Sequence, residues 1–202
     1  MEIKPRRTQA DRSAATKDAL VSAARPLFAE HGYAGVGTES IVKAAGVTRG
    51  AMYHQFADKT ELFAAVFEAV EMEITHRIDR AVQASGTADP LDLMVIGAEA
   101  WLRACLEPEV NRIVLIDAPA VLGWERWREI GAKYGMGLIE SLLQSLMADG
   151  RIPQQPLKAT AHVLLGALDE AALYVARSED PEQAIVDSSA VFKRLIGALA
   201  AP

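Results

Sequence analysis

Apolar residues recur along this chain at spacings of three and four, and no β-branched run alternates with polar residues, so the pattern predicts helices throughout. Leu20, Ala23, Ala24, Leu27 and Phe28 share one helical face, and Gly32 suits a left-handed stop, which predicts a first helix over residues 14–31. Pro26 removes the amide that would bond to the Ser22 carbonyl, so a kink or irregular turn is expected there. Thr38 reads as the cap of a short helix over 39–45, Gly46 as its break, and Thr48 as the cap of a third helix over 49–56. Asp58 and Glu61 have capping-box spacing ahead of Leu62, Phe63, Val66, Phe67, Val70, Ile74 and Ile78, which predicts a long fourth helix over about 59–84. Proline, glycine and aspartate then divide the remainder into helices at about 90–106, 109–116, 120 or 124 to 148, after Pro156 to 177, and 181–200. The expectation is an all-α fold of about nine helices, closed by a helical hairpin.

Half of the 202 residues are hydrophobic and 24% are charged, which excludes disordered and fibrous classes and leaves one or two packed modules. The single cysteine, Cys105, rules out an internal disulfide and fits a reducing compartment. The longest uncharged stretch in the apolar C-terminal part, residues 159–168, is half the length of a bilayer span, so no membrane segment is expected. No apolar stretch follows the basic N-terminal residues either, so a secretory signal is not expected and the protein should remain in the cytoplasm. The net charge of −6 conceals an asymmetry: residues 1–60 carry +3 and residues 61–202 carry −9. A head of that sign can meet phosphate, while the body should face away from it.

Ile41, Val42, Ala44, Ala45, Val47, Met52 and Phe56 are the apolar positions that a helix-turn-helix requires, with Gly46 at its turn. The surrounding residues carry a more specific pattern: Leu27, Phe28, Ala29, Glu30, His31, Gly32 and Tyr33; Thr38; Ala44 to Val47; Tyr53, His54, Gln55 and Phe56; and Lys59, Glu61, Leu62 and Phe63. Over residues 19–66 this resembles the TetR family of bacterial one-component repressors, and beyond residue 70 only that family's general plan of helices. The resemblance implies a DNA-binding head at residues 1–57 and a ligand-binding and dimerisation body at 58–202, with the fourth helix as connector.

Read by themselves, the residues of the third helix suit DNA. Arg49 is placed to pair with guanine N7 and O6, while Thr48 and the amides of Gly50 and Ala51 suit a phosphate at the helix N-terminus. The resemblance adds Tyr53, His54, Lys59 and Thr38 as contacts to the DNA backbone. Glu39 has two readings, a partner for its own helix dipole or an acceptor for a cytosine amine, and the first is favoured. Lys4, Arg6, Arg7 and Arg12 serve either solubility or a basic arm along the phosphates; the adjacent helix-turn-helix favours the arm.

In the body, Trp101, Cys105, Trp124, Trp127 and Tyr134 bring aromatic and apolar area to two helices, either as plain core or as the wall of a small-molecule site. Arg112, Asp117, Glu99 and His162 are candidate polar anchors. The histidines lack metal-ligand spacing, so neither a metal nor a cofactor is expected. No nucleophile motif or phosphate loop is present; Asp169 and Glu170 read as a solvated or interface face, and an enzyme is not expected. Val163, Gly166, Ala167, Glu170, Leu173, Phe192, Leu195, Ile196 and Leu199 exceed what one hairpin must bury, which predicts a homodimer through the last two helices. The expected function is a repressor released from a palindromic double-stranded DNA operator by a small, largely apolar effector. A constitutive architectural DNA-binding protein and a helical enzyme or carrier are its rivals.

Overall fold

A computed structural model describes residues 8–199, and these are helical with no strand among them. The first helix, α1 (Gln9–Gly35), starts earlier than its apolar stripe. Thr8 and Asp11 form a capping box, the Asp11 amide donating to Thr8 Oγ1 at 3.1 Å and the Thr8 amide to Asp11 Oδ2 at 2.8 Å. Arg12 therefore lies in the first helical turn rather than in an arm, and Lys4, Arg6 and Arg7 fall outside the described residues. Pro26 leaves the helical dihedrals intact, so no irregular turn forms at it; the one departure inside α1 is Gly32, at φ 68° and ψ 165°. The chain turns there, in a conformation that side chains beyond glycine rarely adopt.

Two short helices follow, α2 (Thr38–Ala45) and α3 (Arg49–Gln55). Gly46 closes α2 in the left-handed region, and Thr48 caps α3 by accepting the Ala51 amide at 3.1 Å. Gly37, not Thr38, occupies the cap position of α2, and Thr38 is its first helical residue. Leu20, Phe28, Ile41 and Met52 are buried together with Leu62, Phe63 and Phe67 of α4 (Lys59–Ala84). That cluster continues without interruption into the body through Ile113, Trp127 and Val175, so head and body share one apolar core.

The body adds α5 (Pro90–Cys105), capped by Asp89. The next helix, α6, is built from three pieces, Pro108–Val110, a π-helical Asn111–Asp117, and Ala118–Leu122, with αR dihedrals at both joins. Pro119 was expected to end a helix, and the π turn explains why it does not. The Ala118 amide reaches back five residues to the Ile113 carbonyl, and in that wider register the ring of Pro119 avoids the carbonyl it would strike in an α-helix. Gly123, at φ 79°, then turns the chain into α7 (Trp124–Ala148), followed by α8 (Leu157–Ala176) and α9 (Pro181–Ala198). Counting α6 as one, the described residues form nine helices. A second apolar cluster, with Met94, Leu143, Leu146, Leu164 and Ile196, fills the end of the body remote from α2 and α3.

Candidate DNA-binding face and effector cavity

The polar side of α3 is open. Thr48, Arg49, Gly50, Tyr53 and His54 are exposed, with 61% of the Arg49 side chain and 43% of Tyr53 accessible. The Arg49 guanidinium lies 5.6 Å from the Tyr53 ring centroid and 3.5 Å from Glu39 Oε1. Glu39 thus has a role beyond its helix dipole: it steadies the guanidinium across the turn in solvent, where such a pair is weak enough to be exchanged for a base edge. Thr38 is half-buried beside them. The Ala51 amide is already used by Thr48, which removes it from the phosphate donors expected at this helix start.

Lys59 is placed differently from a free phosphate contact. Its Nζ donates to the carbonyls of Tyr33 and Val36, each at 2.9 Å, and sits 4.0 Å from the Tyr33 ring centroid. An ammonium at the end of α1 adds a second donor to the Tyr33 carbonyl, which already accepts the Val36 amide at 3.4 Å, gives the Val36 carbonyl a donor, and opposes the negative end of the helix dipole. Lys59→Met is therefore expected to lower the stability of the whole chain by about 1–2 kcal/mol, measured by urea unfolding. An unchanged midpoint would show these bonds to be idle.

Between α4, α5, α7 and α8 lies a cavity of about 80 Å³. One end is apolar, walled by Ile78, Met94, Leu138, Ile139 and Leu142; the other carries Glu71, Thr75, Trp101, Trp127, Arg128 and Asp169. Three glycines, Gly97, Gly131 and Gly135, also line it. A methyl group on them would come to 3.5 Å from Ile78, 3.9 Å from Glu71 Oε1 and 3.4 Å from Leu165, respectively, so the missing side chains help to make the space. Each costs its helix roughly 1 kcal/mol relative to alanine.

Glu71 is 5% exposed, and among the described residues nothing hydrogen-bonds its carboxyl. Burial, reinforced by the nearby Asp169 carboxyl, pushes its pKa up to about 8. Asp169 is pushed up to about 6 by burial, even though Arg128 pairs with it and pulls the other way. Trp101 Nε1 is buried without an acceptor, whereas Trp127 Nε1 donates to the Val114 carbonyl at 3.0 Å. That carbonyl belongs to the π turn of α6, where the five-residue register would pair it with the amide that Pro119 lacks.

Of the side chains expected around a ligand, the structure brings Trp101 and Trp127 to the cavity and places the others elsewhere. Cys105 is sealed in the core, its thiol pKa raised by burial. Trp124 is 62% exposed and packs on Trp127 with centroids 4.8 Å apart. The Tyr134 hydroxyl donates to Glu68 at 2.9 Å, and His162 is exposed, its Nδ1 2.7 Å from the Lys158 carbonyl oxygen. Glu99 is half-buried away from the cavity wall. Asp169 faces inward rather than forming a solvated face, and Glu71, Thr75 and Arg128 were not expected. A signal for Glu71 was present: it follows Phe67 by four residues and precedes Ile74 by three, squarely in the apolar stripe of α4.

Arg112 and Asp117 serve the joint between head and body. The Asp117 carboxylate accepts the Tyr33 amide at 2.7 Å and lies 3.4 Å from Arg112 Nε, and a methyl group on Gly32 would come 2.1 Å from Arg112 Nη2. Arg25 of α1 adds a bidentate pair to Glu109 of α6, both bonds 2.8 Å. The π turn that receives Trp127 from the cavity is thus fastened to the end of α1.

A helix-turn-helix head continuous with an all-helical body that lines a cavity is an architecture of DNA-binding regulators. Comparison with known proteins agrees with this architecture at both ends of the chain. Residues 20–66 match the model for bacterial regulatory proteins of the tetR family, and residues 91–199 match the Tetracyclin repressor-like C-terminal domain. A TetR-family transcriptional regulator from Pectobacterium atrosepticum is 32% identical, with TM-score 0.78, covering 97% of this chain and 99% of that one. RolR, solved in complex with resorcinol, shares the fold with TM-score 0.77 at 21% identity, covering 95% of this chain and 94% of its own. The Transposon Tn10 TetC protein of Escherichia coli is 26% identical over 137 residues, 68% of each chain. The HTH-type transcriptional regulator CymR of Pseudomonas putida is 46% identical over 72 residues, 36% of each chain. The chain belongs to the TetR family of DNA-binding transcriptional regulators.

Proposed function

We propose that this protein is a cytoplasmic homodimeric repressor that leaves a palindromic operator when a small, largely apolar effector enters the cavity between α4, α5, α7 and α8. The observation that carries this reading is the bonded route from the cavity to the head: Trp127 on the cavity wall, Val114 and Asp117 in the π turn, Tyr33 at the end of α1. RolR, a protein of the same fold, has resorcinol as its ligand, so a body of this shape accommodates a one-ring compound. In DNA-bound form, Arg49 reads a base from the open side of α3, with Thr48, Tyr53, His54 and Thr38 on the backbone around it. Arg49→Ala is expected to weaken binding to an operator selected from random duplexes by about 1–3 kcal/mol and to relax one position per half-site, read by gel shift against competitor DNA. Selection that enriches no palindrome removes the reading, and an architectural protein becomes the better one.

The dimer is supported by an unpartnered apolar face on the last two helices. Val163 and Tyr174 of α8 and Val186, Val191 and Leu195 of α9 are exposed, while Phe192 and Ile196, first assigned to this face, point into the chain's own core. By length and composition α8 could cross a membrane, and only 28% of its most apolar window is buried. A second copy covers the same surface and pairs two α3 helices about 34–36 Å apart, one turn of DNA. Light scattering at micromolar concentration should give twice the 21.8 kDa chain mass. A monomer would leave this face unexplained and the palindrome without its two-fold partner.

A further inference from the structure

The polar end of the cavity also limits which effector it takes. We propose that the effector is an uncharged molecule of about one ring that carries a hydroxyl group, held by that hydroxyl against Glu71 and by its apolar part along Ile78, Leu138 and Leu142. The proposal rests on the preceding reading of the cavity as the effector site and adds the chemical class.

The groups left without partners select among the alternatives. Glu71 offers an unpaired carboxyl in the cavity, and Trp101, which lines it from α5, has a buried N–H with no acceptor. Arg128 is already balanced by Asp169 and supplies no spare positive charge. A ligand ammonium would donate to Glu71, but it would have nothing to accept the indole N–H and would face the Arg128 guanidinium. A ligand carboxylate could accept from Trp101 but would meet two carboxyl groups, Glu71 and Asp169, against one guanidinium. A hydroxyl both donates and accepts, so it satisfies Glu71 in either protonation state and can accept a hydrogen bond from an indole N–H, without bringing a charge into an apolar space. A plain hydrocarbon would fill the apolar end and leave Glu71 as it stands. Size sets an upper bound: an apolar cavity of about 150 Å³ holds benzene, and this one, at about 80 Å³, is about half of that, so anything larger than one ring is excluded and a single ring enters only as the wall opens.

Isothermal titration of the full chain at pH 7, without DNA, against four one-ring probes tests the class: phenol, toluene, benzylamine and benzoate. Phenol is expected to bind about fivefold or more tighter than each of the others, the advantage of a hydrogen bond to a buried carboxyl. Glu71→Leu should bring phenol and toluene to equal affinity, and Glu71→Gln, which keeps a donor and an acceptor, should restore the preference. Tighter binding of benzylamine or benzoate, equal binding of phenol and toluene by the unaltered chain, a phenol preference that survives Glu71→Leu, or binding of none of the four overturns the proposal. Because no operator is present, these outcomes are separate from the regulatory reading. A protein that binds phenol yet never leaves its operator keeps the hydroxyl site and loses the repressor mechanism, and one that is released by an ammonium compound does the reverse.

Discussion

Raising the pH from 5 to 8 at constant protein concentration is expected to destabilise this protein by several kcal/mol, in a range where ordinary surface carboxylates no longer titrate. In the unfolded chain Glu71 loses its proton near 4.5, whereas in the folded chain it keeps it to about 8, so the native state binds the extra proton throughout that interval. Stability then falls with rising pH, by about 1.4 kcal/mol per unit where the occupancies differ fully. Asp169 acts in the same direction between 3.8 and about 6. Glu61, Glu68 and Glu107 have the opposite sign, their pKa values lowered chiefly by Arg126, Lys133 and Arg77, but their contribution is lost only at acid pH, below the interval in question. Glu71→Gln should therefore be the more stable protein at pH 8, by about 3 kcal/mol as an order of magnitude, and its urea midpoint should be nearly flat from pH 6 to 8. Parallel midpoint curves for the two proteins would mean that Glu71 titrates as if in water. The cost is one that a site built for a ligand can carry, since an effector that binds only the folded chain returns stability by mass action.

The head was legible because its local chemistry is strict. A left-handed glycine between two short helices, a threonine cap before Arg49 and the apolar spacing of Ile41 to Phe56 admit few other structures, and α3 presents the residues expected of it. A second role of Lys59 was not legible, because sequence spacing cannot show that the ends of α1 and α4 meet, where the carbonyls of Tyr33 and Val36 take two of its three donors. The start of α1 was missed because its apolar stripe begins later, and the Thr8–Asp11 capping box that starts the helix lies ahead of that stripe. In the body, aromatic residues drew the prediction toward Trp124, Tyr134 and Cys105, although a cavity is defined by what is absent. The informative residues were Gly131 and Gly135, one turn apart on α7, and a glutamate inside the apolar stripe of α4. Pro119 misled for a related reason: the π turn that accommodates it leaves no pattern of its own in the sequence.

Asp117→Ala should separate effector binding from operator release more completely than any change in the cavity itself. The cavity can act on DNA only if its filling changes something that the head feels, and beside the ion pairs Arg25–Glu109 and Arg126–Glu61 one bonded route starts on the cavity wall itself: the Trp127 indole on Val114, the Asp117 carboxylate on the Tyr33 amide, and Arg112 lying over Gly32. Removing the Asp117 carboxylate frees the Tyr33 amide and leaves Arg112 without its counter-charge, while nothing on the cavity wall is touched. Effector affinity in the absence of DNA should thus stay within about twofold of the unaltered chain. The factor by which effector weakens operator binding, about 5–150-fold for ordinary allosteric couplings, should fall to about threefold or less. Linkage supplies an independent check, because operator DNA must weaken effector binding by the same factor as effector weakens operator binding, in the variant as in the parent. Titrating effector with and without saturating operator measures that factor directly. If Asp117→Ala keeps the full factor, the signal does not pass through the Asp117–Tyr33 bond but along α4 or through the ion pairs Arg25–Glu109 and Arg126–Glu61, which the variant leaves in place.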